Sequence, residues 1–322
     1  MSKLWLISNT KFGYKNNNIE WRNMMIEYFE QSFIPFLEKN YKEGDKLIHL
    51  GNLFYNADNI PIDTLNIVMN LIEKISNIIP LTFLVGYHDI PNSYKNNSYN
   101  SMNIFKYNKN ITIIDKAKII DNIMFMPWTK TPIRELNENV CKYVIFNSDY
   151  LNYNADLVRK KLIDKKSFCG FYDDYLDDGE IIRLGAPYQL EKTNFNKGFM
   201  VIDTEKDKKI FIPNKFSPTF KTITIRSEDE ITQLDANDVK YNHVNLVVDQ
   251  SLIESKKLKL DILLSKFDFE NVTYVGEKQS IEPIISDSMN IIDICREKVK
   301  QTDNQDIIDE FERIVKLKEE RY

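Results

Sequence analysis

The sequence predicts an α/β sandwich whose polar loops gather at the carboxyl ends of its strands, followed by a small α+β segment and terminal helices. Three observations predict it. Short apolar runs such as Leu4-Trp5-Leu6-Ile7 and Leu47-Ile48-His49-Leu50 each break into a polar or glycine-bearing turn, as buried strands feeding functional loops do. Between them lie stretches with apolar residues at i, i+3, i+4, i+7, the spacing of an amphipathic helix. Beyond residue 110 the pattern changes to closely spaced strand-like segments with little helical periodicity. Strand, loop and helix repeated in this way place helices against a largely parallel sheet.

In chain order, Leu4 to Ile7 is the first strand, ending in Ser8-Asn9-Thr10-Lys11. Trp21, Met24, Met25, Tyr28, Phe29, Phe33, Phe36 and Leu37 mark a helix with a kink expected near Pro35, since proline removes a backbone donor. Lys46 to Leu50 is a second strand, closed by Gly51-Asn52. A helix opening near Pro61 carries Leu65, Val68, Met69, Ile72, Ile75 and Ile79, and Leu81 to Val85 is a third strand, closed by Gly86-Tyr87-His88-Asp89. Strands are then expected at 111–114, 118–120, 123–126, 143–147, 167–170, 181–184, 198–202 and 209–212, and in the second segment near 222–225, 244–248 and 272–275. The expected divisions are 1–218, 219–280 and 281–322. The last helix opens with Thr302-x-x-Gln305, a capping box, and aligns Ile307, Phe311, Ile314 and Val315 on one stripe.

Composition narrows the function classes. The 322 residues are 43% apolar and 28% charged, with 9 Gly and 10 Pro, an ordinary globular balance. No apolar run reaches the ~18 to 20 residues of a membrane span, and the amino terminus reads as a core strand rather than a secretory signal. Three widely separated cysteines, Cys141, Cys169 and Cys295, suit a reducing compartment and no zinc framework, so a cytoplasmic protein is expected, in the host cytoplasm if it is viral. A net charge of −5 gives no global attraction to nucleic acid. The three histidines, His49, His88 and His243, leave little metal chemistry, and His88 stands as the one histidine at a plausible site.

Four segments carry a resemblance: Ile48-His49-Leu50-Gly51-Asn52-Leu53-Phe54, Leu84-Val85-Gly86-Tyr87-His88-Asp89, Met126-Pro127-Trp128, and Leu184-Gly185-Ala186-Pro187-Tyr188-Gln189-Leu190. In this order and spacing the chain resembles the calcineurin-like metallophosphoesterases, and within them the phage-type recombination and double-strand-break repair nuclease subunit. The resemblance implies a β-sandwich flanked by helices, a capping domain, and carboxyl-terminal helices that bind a coiled-coil ABC-type ATPase.

The departures from that pattern are chemical. Where the family has its D-x-H pair the chain has Asn9 and Lys11; the first aspartate of G-D-x-x-D is Asn52; the asparagine of G-N-H-[DE] is Tyr87; the lone ligand histidine falls at Ser148; and G-H-x-H reads Gly170-Phe171-Tyr172-Asp173. Only His88 and Asp89 survive. Two divalent ions ~3.5 to 4 Å apart repel on the order of 15 to 20 kcal/mol at an effective dielectric of ~20. Anionic ligands offset that repulsion, and the amides of Asn9 and Asn52 bring no charge. The resemblance therefore implies a catalytically inactive subunit holding no metal and no cofactor.

Several readings stay open. His88 and Asp89 are a remnant acid/base pair or, preferably in the absence of a metal, a structural hydrogen bond holding their loop. Asp173 is expected to pair with Lys11 rather than ligate a lone cation. Asp173, Asp174, Asp177 and Asp178 lack the glycine and terminal glutamate of a calcium loop and read as a solvated hairpin turn. Arg159-Lys160-Lys161, Lys165-Lys166 and Lys256-Lys257 with Lys259 either contact phosphates or form solvated faces. The expected partners are the ATPase or another viral or replication-repair protein, with DNA and a second copy of the chain as further candidates and no membrane. The alternatives to an inactive subunit are a DNA nuclease with an unorthodox metal site and a scaffold that touches no DNA.

Overall fold

The computed structural model describes residues 2–92, 97–129, 141–152, 155–192, 196–216, 219–234, 239, 242–249, 251–252, 260, 262, 265, 271–275, 299 and 311–312. The chain forms two compact units, 1–274 and 275–322.

In the first unit two six-stranded sheets lie face to face. One has β1 (Lys3–Ile7), β2 (Lys46–His49), β3 (Leu81–Leu84) and β4 (Ile111–Ile114) side by side and parallel, with β11 (Gly198–Asp203) and β12 (Lys208–Pro213) added antiparallel beyond β1. The other runs in the order β5 (Lys118–Ile120), β6 (Ile123–Met126), β7 (Tyr143–Phe146), β8 (Lys166–Cys169), β10 (Ile181–Arg183), β9 (Leu176–Asp177), with β6, β7, β8 and β10 parallel. Leu4, Leu6, Ile48 and Leu84 of the first sheet meet Phe125, Ile145, Phe168 and Ile182 of the second in one buried core. Side chains alternate along each strand, so Trp5, Ile7, Leu47 and Phe83 face outward and are covered by helices.

Those helices are α1 (Ile19–Tyr28), α2 (Ile34–Asn40) and α3 (Ile62–Ile78). Asn18 caps α1, its side-chain oxygen accepting from Trp21 N at 3.1 Å. The expected kink has a cause one turn earlier than Pro35: Phe29–Phe33 is a π-helical turn joining α1 to α2, and Pro35 sits harmlessly in the first turn of α2. α3 follows Pro61, places Asp63 in its first turn and buries Val68, Leu71, Ile72 and Ile75.

The third strand-loop-helix unit differs from expectation. Between β3 and β4 the described residues contain only single turns at Tyr87–Asp89 and Ser101–Phe105. The basic run at 159–161 proves to be the end of a helix, α4 (Ala155–Leu162), which covers the second sheet through Val158 and Leu162. After β12, a three-stranded sheet of β13 (Phe220–Ile225), β14 (His243–Asp249) and β15 (Asn271–Val275) packs with α5 (Glu228–Gln233) around Ile225, Leu246 and Val248. In the second unit Val299, Phe311 and Glu312 are helical and Phe311 is half-buried. Ile307, Ile314, Val315, the Thr302 capping box, Cys295 and Lys256, Lys257 and Lys259 lie outside the described residues. Among the described residues no helix is long and apolar enough to cross a membrane.

Candidate functional site

Because β1, β2 and β3 run parallel, and so do β6, β7 and β8, the loops leaving all six emerge at one end of the sandwich, the usual place for a site in such folds. Ile7 lies opposite His49 in the β1–β2 register, and the two chains continue side by side into their loops: Asn9 N donates to Gly51 O at 3.1 Å, Lys11 N to Asn52 O at 3.0 Å and Phe12 N to Leu53 O at 2.8 Å. Asn9 and Asn52 both adopt left-handed backbone, φ 51° and 62°, which asparagine tolerates better than other residues with a side chain. Gly51 and Gly86 allow the second and third loops to touch. A Cβ on Gly51 would lie 2.7 Å from Gly86 Cα, and one on Gly86 2.4 Å from Asn52 Oδ1.

The centre of this end is a network of buried amides. Asn52 Nδ2 donates to Asn9 Oδ1 at 2.7 Å, and Asn9 Nδ2 donates to Tyr172 O at 2.7 Å. Asn52 Oδ1 accepts from His88 N at 3.0 Å. Asn147 completes the set, donating to Leu50 O at 2.9 Å and Gly170 O at 3.0 Å while accepting from Tyr87 N at 3.3 Å. Ser8 Oγ also donates to Gly170 O, at 3.1 Å. Asn9, Asn52 and Asn147 are fully buried, and every amide oxygen and nitrogen among them has a protein partner, which a buried polar group requires.

Asn147 corrects the expectation placed on Ser148. Tyr143 and Ile145 face the inter-sheet core while Val144 and Phe146 face α4, so the alternation brings Asn147 to the loop cluster. It turns Ser148 the other way, where its hydroxyl donates to Thr129 O at 3.1 Å.

Around the amides, Lys11 and Asp173 come together: Lys11 Nζ lies 2.6 Å from Asp173 Oδ2, with the lysine side chain 8% exposed. Gly185 and Ala186 brace this loop, Ala186 N donating to Asp173 O at 2.9 Å. Asp89 holds the second and third loops together, accepting from Asn52 N at 2.6 Å, Leu53 N at 2.9 Å and Gly86 N at 2.8 Å. Burial pushes its carboxyl up to about 7, against the pull of those backbone donors. The loop is thus held by Asp89 on backbone, and the His88 ring stacks instead on Tyr55 at 5.7 Å. Burial, and then the Lys11 charge, lowers His88 to about 4.

His49 also belongs here, which the sequence reading missed. Its Nδ1 accepts from Gly51 N at 3.2 Å, leaving Nε2 to meet Thr10 Oγ1 at 3.0 Å, and Thr10 in turn donates to Leu53 O at 3.1 Å. Full burial drives its pKa down to about 3, so it is a neutral cross-link.

The surviving polar groups do not fit a divalent pair. Among the described residues no three His, Cys, Asp or Glu side chains come together as a metal-holding group. The amide oxygens that remain already accept N–H groups, and the Lys11 ammonium adds a positive charge that a cation would have to approach. Tyr87, Trp128 and Phe171 form an aromatic rim: Tyr87 meets Trp128 edge-on at 4.9 Å, and Trp128 stacks on Phe171 at 5.4 Å.

The acidic cluster beyond the site is a hairpin turn, but an ion-paired one. Asp174 binds Arg183 at 3.1 Å, Asp177 binds Lys209 at 2.6 Å, and Asp178 binds Arg159 at 2.7 Å. Arg159 also reaches Glu180, and Lys166 pairs with Asp207, so these two candidates for phosphate contact already have acidic partners.

No family model matches the chain. Over 109 residues it is 31% identical to the putative phosphoesterase 078R of Invertebrate iridescent virus 3, an alignment that takes in 32% of this chain and 28% of the other, so the chain spans less than a third of that relative's length. Among solved structures, an archaeal phosphodiesterase is similar at 16% identity with a TM-score of 0.33, covering 66% of this chain and 99% of the other. A protein of unknown function from Aquifex aeolicus is similar at 19% identity with a TM-score of 0.29, covering 56% and 82%.

Proposed function

We propose that this chain is a phosphoesterase-like subunit that no longer hydrolyses phosphoesters and works by binding, as a component of a larger assembly. The observation that carries the reading is the closed amide network of Asn9, Asn52 and Asn147, with Lys11 salt-bridged to Asp173 beside it. A hydrolytic centre of the metal-assisted kind needs open, anionic ligand positions, and here the donors are neutral and already engaged. The likeness to a viral putative phosphoesterase supports the phosphoester-related origin of the framework. The partners that fit the sequence are a coiled-coil ABC-type ATPase or another replication-repair protein, docking on the stripe of Ile307, Phe311, Ile314 and Val315.

The test is calorimetric titration of the whole chain with Mn2+ alongside hydrolysis of bis(p-nitrophenyl) phosphate. No saturable Mn2+ heat and no turnover are expected. Two Mn2+ bound per chain, with turnover lost in Asp173→Asn, would overturn the reading.

A further inference from the structure

The two lateral sides of the sandwich are finished differently. On one, the edge strands β12 and β9 are tied across the sheets by Lys209 and Asp177 at 2.6 Å, and Tyr175, just ahead of β9, packs on Phe211 at 4.2 Å. On the other, β4 and β5 are the outermost strands of their sheets and follow each other through Asp115-Lys116-Ala117. The ladder on β3 fixes which backbone groups of β4 remain. Leu81 N donates to Asn110 O at 2.9 Å and Val85 N to Ile114 O at 3.1 Å, so Asn110, Thr112 and Ile114 turn their N–H and C=O groups toward β3. Ile113 therefore directs its N–H and C=O away from the sheet, as Ile111 does its C=O, and among the described residues no backbone group answers them. Such an unpaired row is a template for another strand.

Two further features flank this edge. Apolar side chains stand in water around it: Tyr107 is 86% exposed, Ile119 45% and Ile104 38%. The charge here is positive, in a chain whose total is −5. Lys106 and Lys109 precede β4 and Lys116 and Lys118 follow it, all four exposed. Against them stand Asp115 and, on α3, Glu73, that helix meeting the approach to β4 where Asn108 Nδ2 donates to Ser76 Oγ at 3.1 Å. Asp121 is already paired with Lys46.

We infer that the β4 edge is a docking strand for an acidic, extended segment of a partner protein, which joins the first sheet beyond β4. Main-chain bonds to Ile111 and Ile113 hold the segment, and its acidic side chains meet lysines at both ends of the strand. The same lysines exclude a second copy of this edge, since two such edges would bring like charges together. A docked helix would use the lysines and leave the Ile113 groups unmet. From Lys109 to Lys116 the extended chain covers up to ~23 Å at ~3.3 Å per residue, so a segment of about eight residues reaches from one pair of lysines to the other. Its affinity falls with added salt, because the charge contacts are exposed. None of this depends on whether the loop end is catalytic.

The experiment titrates the whole chain against a fluorescein-labelled, end-capped octapeptide that alternates glutamate and valine, read by fluorescence anisotropy. Separate arms use the same peptide N-methylated throughout, the same peptide with lysine for glutamate, and an unlabelled oligothymidylate as competitor. Expected are saturable binding of the acidic peptide with Kd below ~1 mM, none of the N-methylated or lysine peptides, and no displacement by the oligothymidylate. Binding should weaken about 10-fold when Lys109→Glu and Lys116→Glu are combined. It should be lost in Ile113→Pro, which removes the outward N–H at an edge position where proline is tolerated. If Ile113→Pro does not fold, the N-methylated peptide makes the same test from the ligand's side. No saturable binding, equal binding of either control peptide, or an unaffected double variant would overturn the inference. So would a folded Ile113→Pro that binds as before, or displacement by the oligothymidylate, which would assign the lysines to phosphates.

Discussion

The two ends of the sandwich hold polar residues in similar backbone and treat them in opposite ways. At the loop end Asn9 and Asn52 are left-handed and fully buried, and their amides tie β1 to β2 and both to the far sheet through the carbonyls of Gly170 and Tyr172. At the other end Asp207 is also left-handed, φ 57°, and gathers Lys142 at 3.1 Å, Lys166, and the Tyr143 hydroxyl at 3.2 Å. There the side chain is 41% exposed. The exposed cluster carries the charges, yet water and salt screen it. The buried cluster is neutral, and each of its groups would lose a partner that no water replaces. Burial, rather than charge, decides which end holds the two sheets in register.

Substitution tests this contrast most severely at Asp89. Asp89→Ala strips the acceptor from three buried backbone N–H groups and is expected to cost ~3 to 5 kcal/mol in denaturant unfolding. A loss below ~1 kcal/mol would break the comparison. Asn52→Ala should cost ~2 to 3 kcal/mol, because the His88 N–H and Asn9 Oδ1 lose their partners and alanine is strained at φ 62°. Urea midpoints of the two variants at unchanged m-value are the readout.

How much of this was legible in the chain follows the same division. The strands were, because runs such as Ile111–Ile114 and Ile123–Met126 are apolar and sharply bounded. The Lys11–Asp173 pair was also legible, as a buried cation needs a counter-charge. α4 was not, since only Val158 and Leu162 of its residues are buried and its last turn reads as a run of basic charge. The π turn left no composition signal. Asn147 could have been found by carrying the two-residue alternation of β7 one step past its end, which places it with Tyr143 and Ile145. His49 was hidden for a different reason: a histidine inside an apolar strand looks like core, and only the turn made by Gly51 brings a backbone donor to its ring.

The pH dependence sharpens the contrast further. His49 and His88 are lowered to about 3 and about 4, so the unfolded chain takes up protons first and stability rises as pH climbs from about 4 to 6.5. Asp89 is raised to about 7, so the folded chain holds its proton longer and stability falls from about pH 4 to about 7. Two histidines against one carboxyl leave a net rise of roughly one proton, ~1.4 kcal/mol per pH unit at most. In Asp89→Asn the opposing limb is gone, and the unfolding free energy measured across pH 4.5 to 6.5 should climb more steeply than in the unaltered chain, by up to about the same slope. A parallel curve for the two proteins would mean that Asp89 titrates as it does in the unfolded chain.

The smallest effect belongs to the exposed end. Asp207, held well down at about 2 by Lys166 and Lys142, should reveal little on change to Asn: a small drop in Tm at low ionic strength that vanishes in ~0.5 M salt. A loss that persisted in high salt would show that this end, too, contributes to holding the sheets.

The left-handed backbone at Asn9 and Asn52 has a consequence in the genetic code. That conformation admits asparagine and aspartate alike, and the codons of the two residues differ only in their first base, adenine against guanine. One transition at either codon would exchange an amide for a carboxylate without asking the main chain to move. Neutral and charged versions of this pocket are therefore mutational neighbours, and a population carrying the gene samples the charged one with every round of copying error.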